Sequence, residues 1–409
     1  MKILLVADGR SPITRGWIKT LELAELETSL ISTFPCEPLP GVRELRIIPA
    51  AFSALAGSQV NGRSSSHRSR TRGLVSRFRG WFLAGRYWLG PLSLPFSRNS
   101  CLKAINEIKP DVVHALRIPF EGMLARVTPP EIPFAVSIWG NDLTLHAQGS
   151  PLMAWETRRT LRRADGLMAD AHRDLRLACE WGFHADLPTL CVPGGGGIDL
   201  PAMLAALKNE SALTADIPAG TPVVINPRGF RPGSVRHDTF FKSIPLILKE
   251  EPQTIFLCAG MAGQPEALDW VERLGIARSV RLLPFLVQEE LWRLFLRAQV
   301  SLSISQHDGT PNSLLESMAL GCYPVAGDIE STREWIVDGE NGRLVDPSDE
   351  IAAAQAVLEG LRSPALVEQA AAKNMGIIHE RADRNSQYPA VHVFYTTVAG
   401  RGQGKGKNG

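Results

Sequence analysis

Apolar and polar positions along the chain alternate between two periods. The chain opens with the apolar run KILLVAD at 2–8, and an amphipathic stretch follows within 9–27, its apolar side marked by Trp17 and Leu21. Further short apolar runs stand at 28–33, 45–49, 111–116, 134–140, 166–170 and 189–193, with helical spacing at 119–127, 151–164 and 172–182. A polar connector punctuated by Pro and Gly ends near 222. The pattern then resumes with strands at 223–227, 254–260, 280–285, 300–304 and 323–327, and helices from about Asp238, at 288–298, 312–321, 348–361 and 364–380. Strands alternating with helices through short loops predict parallel sheets covered on both faces. The class is α/β, with two Rossmann-like domains, a size the 409 residues allow. The expected division gives 1–208 to the first domain, which a helix at 384–398 rejoins. It gives 209–383 to the second domain and leaves 400–409 as a tail of disordered composition.

The densest chemistry lies in 300–347. After the strand at 300–304 the chain turns at Asp308-Gly309-Thr310, Pro311 suits a first helical turn, and Gly321 stops the helix. Open backbone N–H groups at a helix start take an anion, so Gly309, Thr310, Asn312, Ser313 and Leu314 are candidates for a diphosphate. Glu316, further along the helix, is placed to accept from hydroxyls. Ser331 and Glu334 have capping-box spacing. In open α/β sheets ligands sit at the carboxyl ends of strands. His114, Asn141 and Asp142 stand at such ends, as do Arg228, Arg231 and Arg236 after the strand at 223–227. His114 has a competing role as a core histidine, and Asp142 as a helix cap. The four glycines at 194–197 lack the spacing of a dinucleotide fingerprint and read as a turn.

Composition adds two things. Six cysteines without a CxxC pair argue against a disulfide framework or a zinc site. The first apolar run is too short for a signal-peptide core, which points to a cytoplasmic protein. Net charge is only +2, yet eight arginines and no acid fall between 57 and 98. Within this insertion Arg70, Arg72, Arg77 and Arg79 surround Trp81, Phe82 and Trp88. Cations beside large aromatics describe a helix lying on an anionic membrane surface. The alternatives are a helix packed on the first domain with its arginines in water, or RNA binding. No nucleic-acid motif accompanies the segment, so no nucleic-acid partner is expected.

The run 308-DGTPNSLLE-316, followed by an apolar strand and 338-DGENGRLV-345, resembles the donor-binding signature of family 4 retaining glycosyltransferases of the GT-B fold. The resemblance implies two Rossmann-like domains facing a central cleft and a nucleotide-sugar donor. It implies transfer with retention to a saccharide or lipid-linked acceptor, in cell-surface polysaccharide or glycolipid synthesis. By it, Arg228 neutralises the leaving diphosphate, Glu316 holds the ribose, Asp308 orients the sugar and His114 contacts that sugar. Asn141 and Asp142 match a Gly-polar-Asp triplet at the cleft. The family's paired glycines in the first loop are reduced here to Gly9. Its second diphosphate cation, a lysine, is missing, so Arg231 or Arg236 supplies that charge. No DxD triplet is present, and neither a metal nor a cofactor is expected. Rival readings are a nucleotide-sugar 2-epimerase of the same fold and a non-catalytic, membrane-associated GT-B protein.

Overall fold

The computed structural model describes residues 1–50, 79–207, 211–231 and 233–405. The chain divides into two units, residues 1–196 with 387 onward, and residues 197–386.

The first unit is built on a seven-stranded sheet: β1 (Lys2–Ala7), β2 (Glu27–Ser32), β3 (Val42–Ile47), β4 (Val112–Ala115), β5 (Phe134–Ile138), β6 (Gly166–Ala169) and β7 (Thr189–Cys191). Every pairing is parallel, in the order β3-β2-β1-β4-β5-β6-β7. The two-residue period of β1 sorts its side chains to opposite faces. Ile3 and Leu5 join one core with Trp17, Leu21 and Tyr395, while Leu4 and Val6 join another with Leu94, Ile105 and Phe134. Helices cover both faces, among them α1 (Pro12–Leu23) and α2 (Arg79–Ile108). Ser11 caps α1, its side chain accepting from Ile13 N at 3.3 Å, and Pro12 starts the helix.

Helix α2 is longer than the 74–90 segment that composition suggested, and it continues through Pro91 and Pro95 to Ile108. The reason lies in Leu94, Cys101, Ala104, Ile105 and Ile108, which recur on one side of the helix and pack into the core. Each fully buried large aliphatic side chain is worth roughly 1.5–3 kcal/mol. Arg70, Arg72 and Arg77 lie outside the described residues, as do the side chains of Arg79, Trp81 and Phe82.

The glycine run at 194–197 is a tight turn against α1. Thr20 Oγ1 donates to Gly195 O at 3.1 Å, and a Cβ on Gly196 (φ +80°) would overlap the Thr20 side chain.

Helices α3 (Pro151–Arg163) and α4 (His172–Glu180) also belong to the first unit. The second unit begins with α5 (Leu200–Ala206) and contains β8 (Val223–Asn226), α6 (His237–Glu250), β9 (Ile255–Cys258), α7 (Pro265–Leu274), β10 (Val280–Leu282) and α8 (Gln288–Arg297). Next come β11 (Val300–Ser303), α9 (Asn312–Ala319), β12 (Tyr323–Gly327), α10 (Glu330–Arg333), β13 (Arg343–Val345), α11 (Glu350–Arg362) and α12 (Pro364–Arg381). Its parallel sheet runs β10-β9-β8-β11-β12-β13. The division at 196/197 precedes the connector expected near 208, because Ile198, Leu200 and Met203 already pack in the second unit's core. The last helix, α13, runs Arg384–Lys405 and belongs to the first unit from Gln387. It extends past 400, where the composition suggested disorder. Gly402 sits so close to Pro133 that a Cβ there would come within 2.8 Å. Among the described residues no helix is long and apolar enough to cross a membrane.

Candidate active site

In each sheet the strand order reverses once, between β1 and β4 in the first and between β8 and β11 in the second. Crevices outside the carboxyl ends of strands at such switch points are where open α/β sheets bind ligands.

In the second unit, β8 delivers Arg228 and β11 delivers Asp308 to its switch point. Asn226 at the end of β8 fixes the turn, its Oδ1 accepting from Arg228 N at 3.0 Å. Arg228 is buried, and its Nη1 lies 2.7 Å from Asp308 Oδ2, which also accepts from Ser305 Oγ at 3.1 Å. The backbone of the 304–307 loop is bonded to the 234–236 loop, with Arg236 N donating to Ile304 O at 2.8 Å and Gln306 N to Ser234 O at 2.8 Å. On its other side the 304–307 loop passes close to Gly327 at the end of β12, where a Cβ would overlap the Ser305 carbonyl.

The two candidates for the second cation differ in what holds them. Arg236 is committed to Asp238 through two hydrogen bonds of 2.9 and 2.8 Å. Arg231 is exposed and has no carboxylate partner of its own among the described residues, and the nearby Arg228 guanidinium pushes its pKa down to about 10 against the pull of Asp308. Two guanidiniums therefore crowd one carboxylate, and the surplus positive charge favours an anion. Arg228 Nε is buried without a partner, as are Ser303 Oγ at the end of β11 and Ser313 Oγ in the first turn of α9.

Helix α9 starts after Pro311, which supplies no side-chain cap. Uncapped first-turn N–H groups suit an anion. Leu314 does not contribute one, because its N–H bonds Pro311 O at 2.9 Å and its side chain is in the core. Thr310 is buried, with Oγ1 accepting from Trp335 Nε1 at 2.9 Å. Gly309 is buried, and Asn312 and Ser313 are half-buried. Ser331 does not cap α10 as its spacing suggested. Its hydroxyl donates to Asp308 O at 2.8 Å, and Thr332 Oγ1 accepts from Ile329 N instead.

Glu316 projects from α9 into a nearly closed site, 9% exposed, where Gln288 Nε2 donates to Oε1 at 2.7 Å. Burial pushes its pKa up to about 7, partly offset by the polar side chains beside it, Trp292 and Gln288. Gln288 opens α8, directly after the loop carrying the exposed Phe285 and Val287. Neither Gln288 nor Ser305 was singled out by sequence reasoning. Their one signal was position, each at the junction of a strand end and a helix-bound loop.

In the first unit three of the expected site residues are engaged by other partners. His114 is fully buried on β4, with Nδ1 at 2.5 Å from Tyr395 Oη and Nε2 at 2.8 Å from Ser137 Oγ. Burial lowers its pKa to about 3. It is a neutral core histidine whose ring nitrogens are both engaged, not a group facing a sugar. Asp142 is fully buried too. Its Oδ1 accepts from Arg117 Nη2 at 2.7 Å and its Oδ2 from Ile118 N at 3.1 Å, so it anchors Arg117 rather than facing a ligand. Asn141 is half-buried beside it and precedes the turn at Asp142–His146. Gly9 spends its N–H on Ser32 Oγ at 3.1 Å, and a Cβ there would come within 2.6 Å of Cys36 Sγ. Its smallness lets two loops meet and leaves no N–H for a phosphate.

Residues 221–363 match the family model described as glycosyl transferases group 1. The D-inositol 3-phosphate glycosyltransferase of Corynebacterium urealyticum is 32% identical over 111 residues, 26% of this chain. That match spans about a quarter of the curated relative, 26% of its length. Sucrose-phosphate synthase from Thermosynechococcus elongatus is similar in structure with a TM-score of 0.71 and 15% identity, over 97% of this chain and 99% of that one. HepE of Anabaena, solved in complex with UDP, has a TM-score of 0.70 and 14% identity, over 97% of this chain and 100% of that one. At such identity these likenesses speak for the fold. The chain has the GT-B fold of two Rossmann-like units, and its segment 221–363 matches the model of the glycosyl transferases group 1 family.

Proposed function

We propose that the protein is a glycosyltransferase that moves a sugar from a nucleotide-diphosphate donor to a saccharide or lipid-linked acceptor. The observation that carries this reading is the buried Arg228–Asp308 pair at the switch point of the second sheet, together with the unpartnered Arg228 Nε and Ser313 Oγ and the start of α9 that no side chain caps. Charge develops on the diphosphate as the anomeric bond breaks, and fixed cations aimed at it lower the barrier. Arg228, Arg231 and the first turn of α9 supply that charge here, which is the basis for expecting transfer without a metal. Glu316 accepts from the ribose hydroxyls. Asp308 keeps Arg228 in place and presents its second oxygen to the transferred sugar. Retention of anomeric configuration follows from the resemblance to retaining enzymes.

The solved HepE relative binds UDP and UDP-glucose, which supports a uridine nucleotide as the first donor to try. Thermal unfolding with UDP, GDP and ADP tests the site. One nucleotide should raise the melting temperature of the native chain and leave Arg228→Ala unchanged. If none does, the reading fails. Analysis of products from donor alone and from donor with acceptor then separates transfer from 2-epimerisation.

A peripheral position on an anionic membrane, with cell-surface polysaccharide or glycolipid synthesis as the setting, is the finer part of the proposal. Helix α2 supports it by exposing Trp88 (53%), Leu89, Leu92 and Phe96 (87%). Residues 88, 92 and 96 follow one another at helical spacing, and in sequence they directly follow the arginine-rich segment.

A further inference from the structure

The turn between β8 and α6 carries both guanidiniums of the candidate diphosphate site, and its main chain is held at several points. Arg228 N donates to Asn226 Oδ1 at 3.0 Å. Gly229 runs so close to Gly260 that a Cβ on it would come within 3.3 Å of the Gly260 carbonyl oxygen. Arg231 O accepts from Ser234 N at 3.0 Å and from Val235 N at 3.1 Å. The Arg231 N–H is held by a side chain instead. It donates at 3.1 Å to Nε2 of His237, which lies six positions later as the first residue of α6.

The surroundings of His237 suit it to that bond. It is 6% exposed, and its ring lies against Phe230 with 4.4 Å between centroids. Phe230 stacks on Phe241 of α6 at 6.4 Å, and Phe241 on Trp270 of α7 at 5.9 Å. Aromatic packing that reaches the core thus fixes the orientation of the imidazole. Burial, then the Arg228 guanidinium, lowers its pKa to about 4; Arg231 adds to the fall, while Asp238 and the Gly229 backbone pull the other way. The ring is therefore neutral near pH 7, and accepting at Nε2 puts its one proton on Nδ1. A protonated ring would have no lone pair for the Arg231 N–H. Its burial and the cations around it keep that acceptor available.

The bond matters through the charge that it places. The Arg231 side chain is exposed, and the charges of both Arg228 and Asp308 reach its guanidinium. An arginine on a loose turn would have to be ordered when an anion binds, at a cost in affinity. Fixing the main chain beneath it beforehand reduces that cost.

We propose that His237 is a positioning residue for the donor diphosphate, its Nε2 anchoring the Arg231 main chain so that the Arg231 and Arg228 guanidiniums meet one anion. The diphosphate as occupant rests on the transferase reading above, whereas the anchor rests on the turn alone. Calorimetric titration of the full chain with UDP and with inorganic pyrophosphate tests it, beside nitrogen-15 spectroscopy of the imidazole. The native ring should carry its proton on Nδ1. His237→Phe keeps the packing on Phe230 and removes the acceptor, and it should weaken both ligands about tenfold, the size of one lost hydrogen bond. His237→Gln, whose amide oxygen can take the place of Nε2, should restore affinity to within about threefold of native. In an Arg231→Ala background, His237→Phe should weaken binding by no more than about twofold further, because the charge it places is gone. A full tenfold loss in that background would mark a merely structural role and overturn the proposal. So would native affinity in His237→Phe, or His237→Gln as weak as His237→Phe. A native ring with its proton on Nε2 would also overturn it, and that result needs no variant to fold. Native protein that binds neither UDP nor pyrophosphate would overturn the transferase reading together with the role of His237, whereas the other adverse results remove His237 alone.

Discussion

Arg228 and Asp308 lie on neighbouring strands' ends, 80 positions apart in sequence, with Nη1 and Oδ2 separated by 2.7 Å. The pair is largely shielded from solvent, with the two side chains 8% and 16% exposed. Neither residue is therefore a freely solvated charge, and each depends on the other.

Replacing Arg228 with Ala removes the buried cation and leaves Asp308 facing Arg231 alone. Truncating one member of a buried charge pair typically costs about 2–5 kcal/mol in binding, so nucleotide-diphosphate affinity should fall at least about thirtyfold. Arg228→Lys should recover little of it, because a point charge cannot reproduce the fork. Titration of both variants with UDP checks this, and near-native affinity in Arg228→Ala would remove Arg228 from the site.

Glu316 makes stability fall with rising pH. Its folded pKa is raised from 4.5 to about 7 by burial, so the folded state favours the protonated form. The contribution is complete below about pH 4.5 and is lost as pH rises through 7, by about 3 kcal/mol in all. Glu316→Gln should flatten this part of the pH profile in denaturant unfolding and unfold at higher denaturant than native protein at pH 8. It should also lose nucleotide affinity, having lost the acceptor. An unaltered pH profile would show that Glu316 titrates normally.

Nucleotide binding should release a proton near neutral pH. Ribose hydroxyls that donate to Glu316 favour its ionised form and lower its pKa. The heat of UDP binding at pH 6.5 should consequently change with the ionisation enthalpy of the buffer, and this dependence should be absent in Glu316→Gln.

His114→Ala should lower stability and spare the nucleotide site. It leaves Tyr395 Oη and Ser137 Oγ without their partner in a closed core, and large-to-small changes of this kind cost about 2–5 kcal/mol. Thermal unfolding should register the loss, while UDP affinity, measured below the new midpoint, should stay within about twofold. A stable variant with no nucleotide binding would return His114 to the active site.

Replacing Trp88 and Phe96 with Ser should weaken binding to vesicles rich in anionic lipid without lowering the melting temperature, because both side chains are exposed. Equal sedimentation of native and variant protein with such vesicles would remove α2 from the membrane proposal.

What the sequence made legible followed the range of the interactions. The turn at 308–310, the stop at Gly321 and the alternation of strands and helices are local properties, and the elements form where periodicity and Pro/Gly punctuation place them. The places of Arg228 after a strand and of Glu316 within a helix were also accessible, because strand ends and helix starts can be located from one segment. His114 misled because its deciding partner, Tyr395, is 281 positions away on a helix whose packing no local pattern reveals. Asp142 misled similarly, since a strand-end acid reads alike whether it meets a ligand or an arginine 25 residues earlier. The choice between Arg231 and Arg236 needed the side-chain geometry, as Asp238 commits the latter two residues away. His237 was hidden for a further reason. Its bond is to a backbone N–H six positions earlier, and residue type alone does not signal it.

The second unit starts and ends at one place. Ile198 N donates to Ala382 O at 2.7 Å and Arg384 N to Ile198 O at 2.9 Å, so its entry and exit segments are bonded together before the chain returns to the first unit at 387. In gene terms it is a cassette spliced into a host. Residues 197–386 can be exchanged as one uninterrupted block against the corresponding block of another chain of this fold, with no new termini and no change of connection length. A library of such exchanges would vary the second unit while holding the first constant, which a simple two-part fusion of the same chain could not do because α13 would be severed from the first unit.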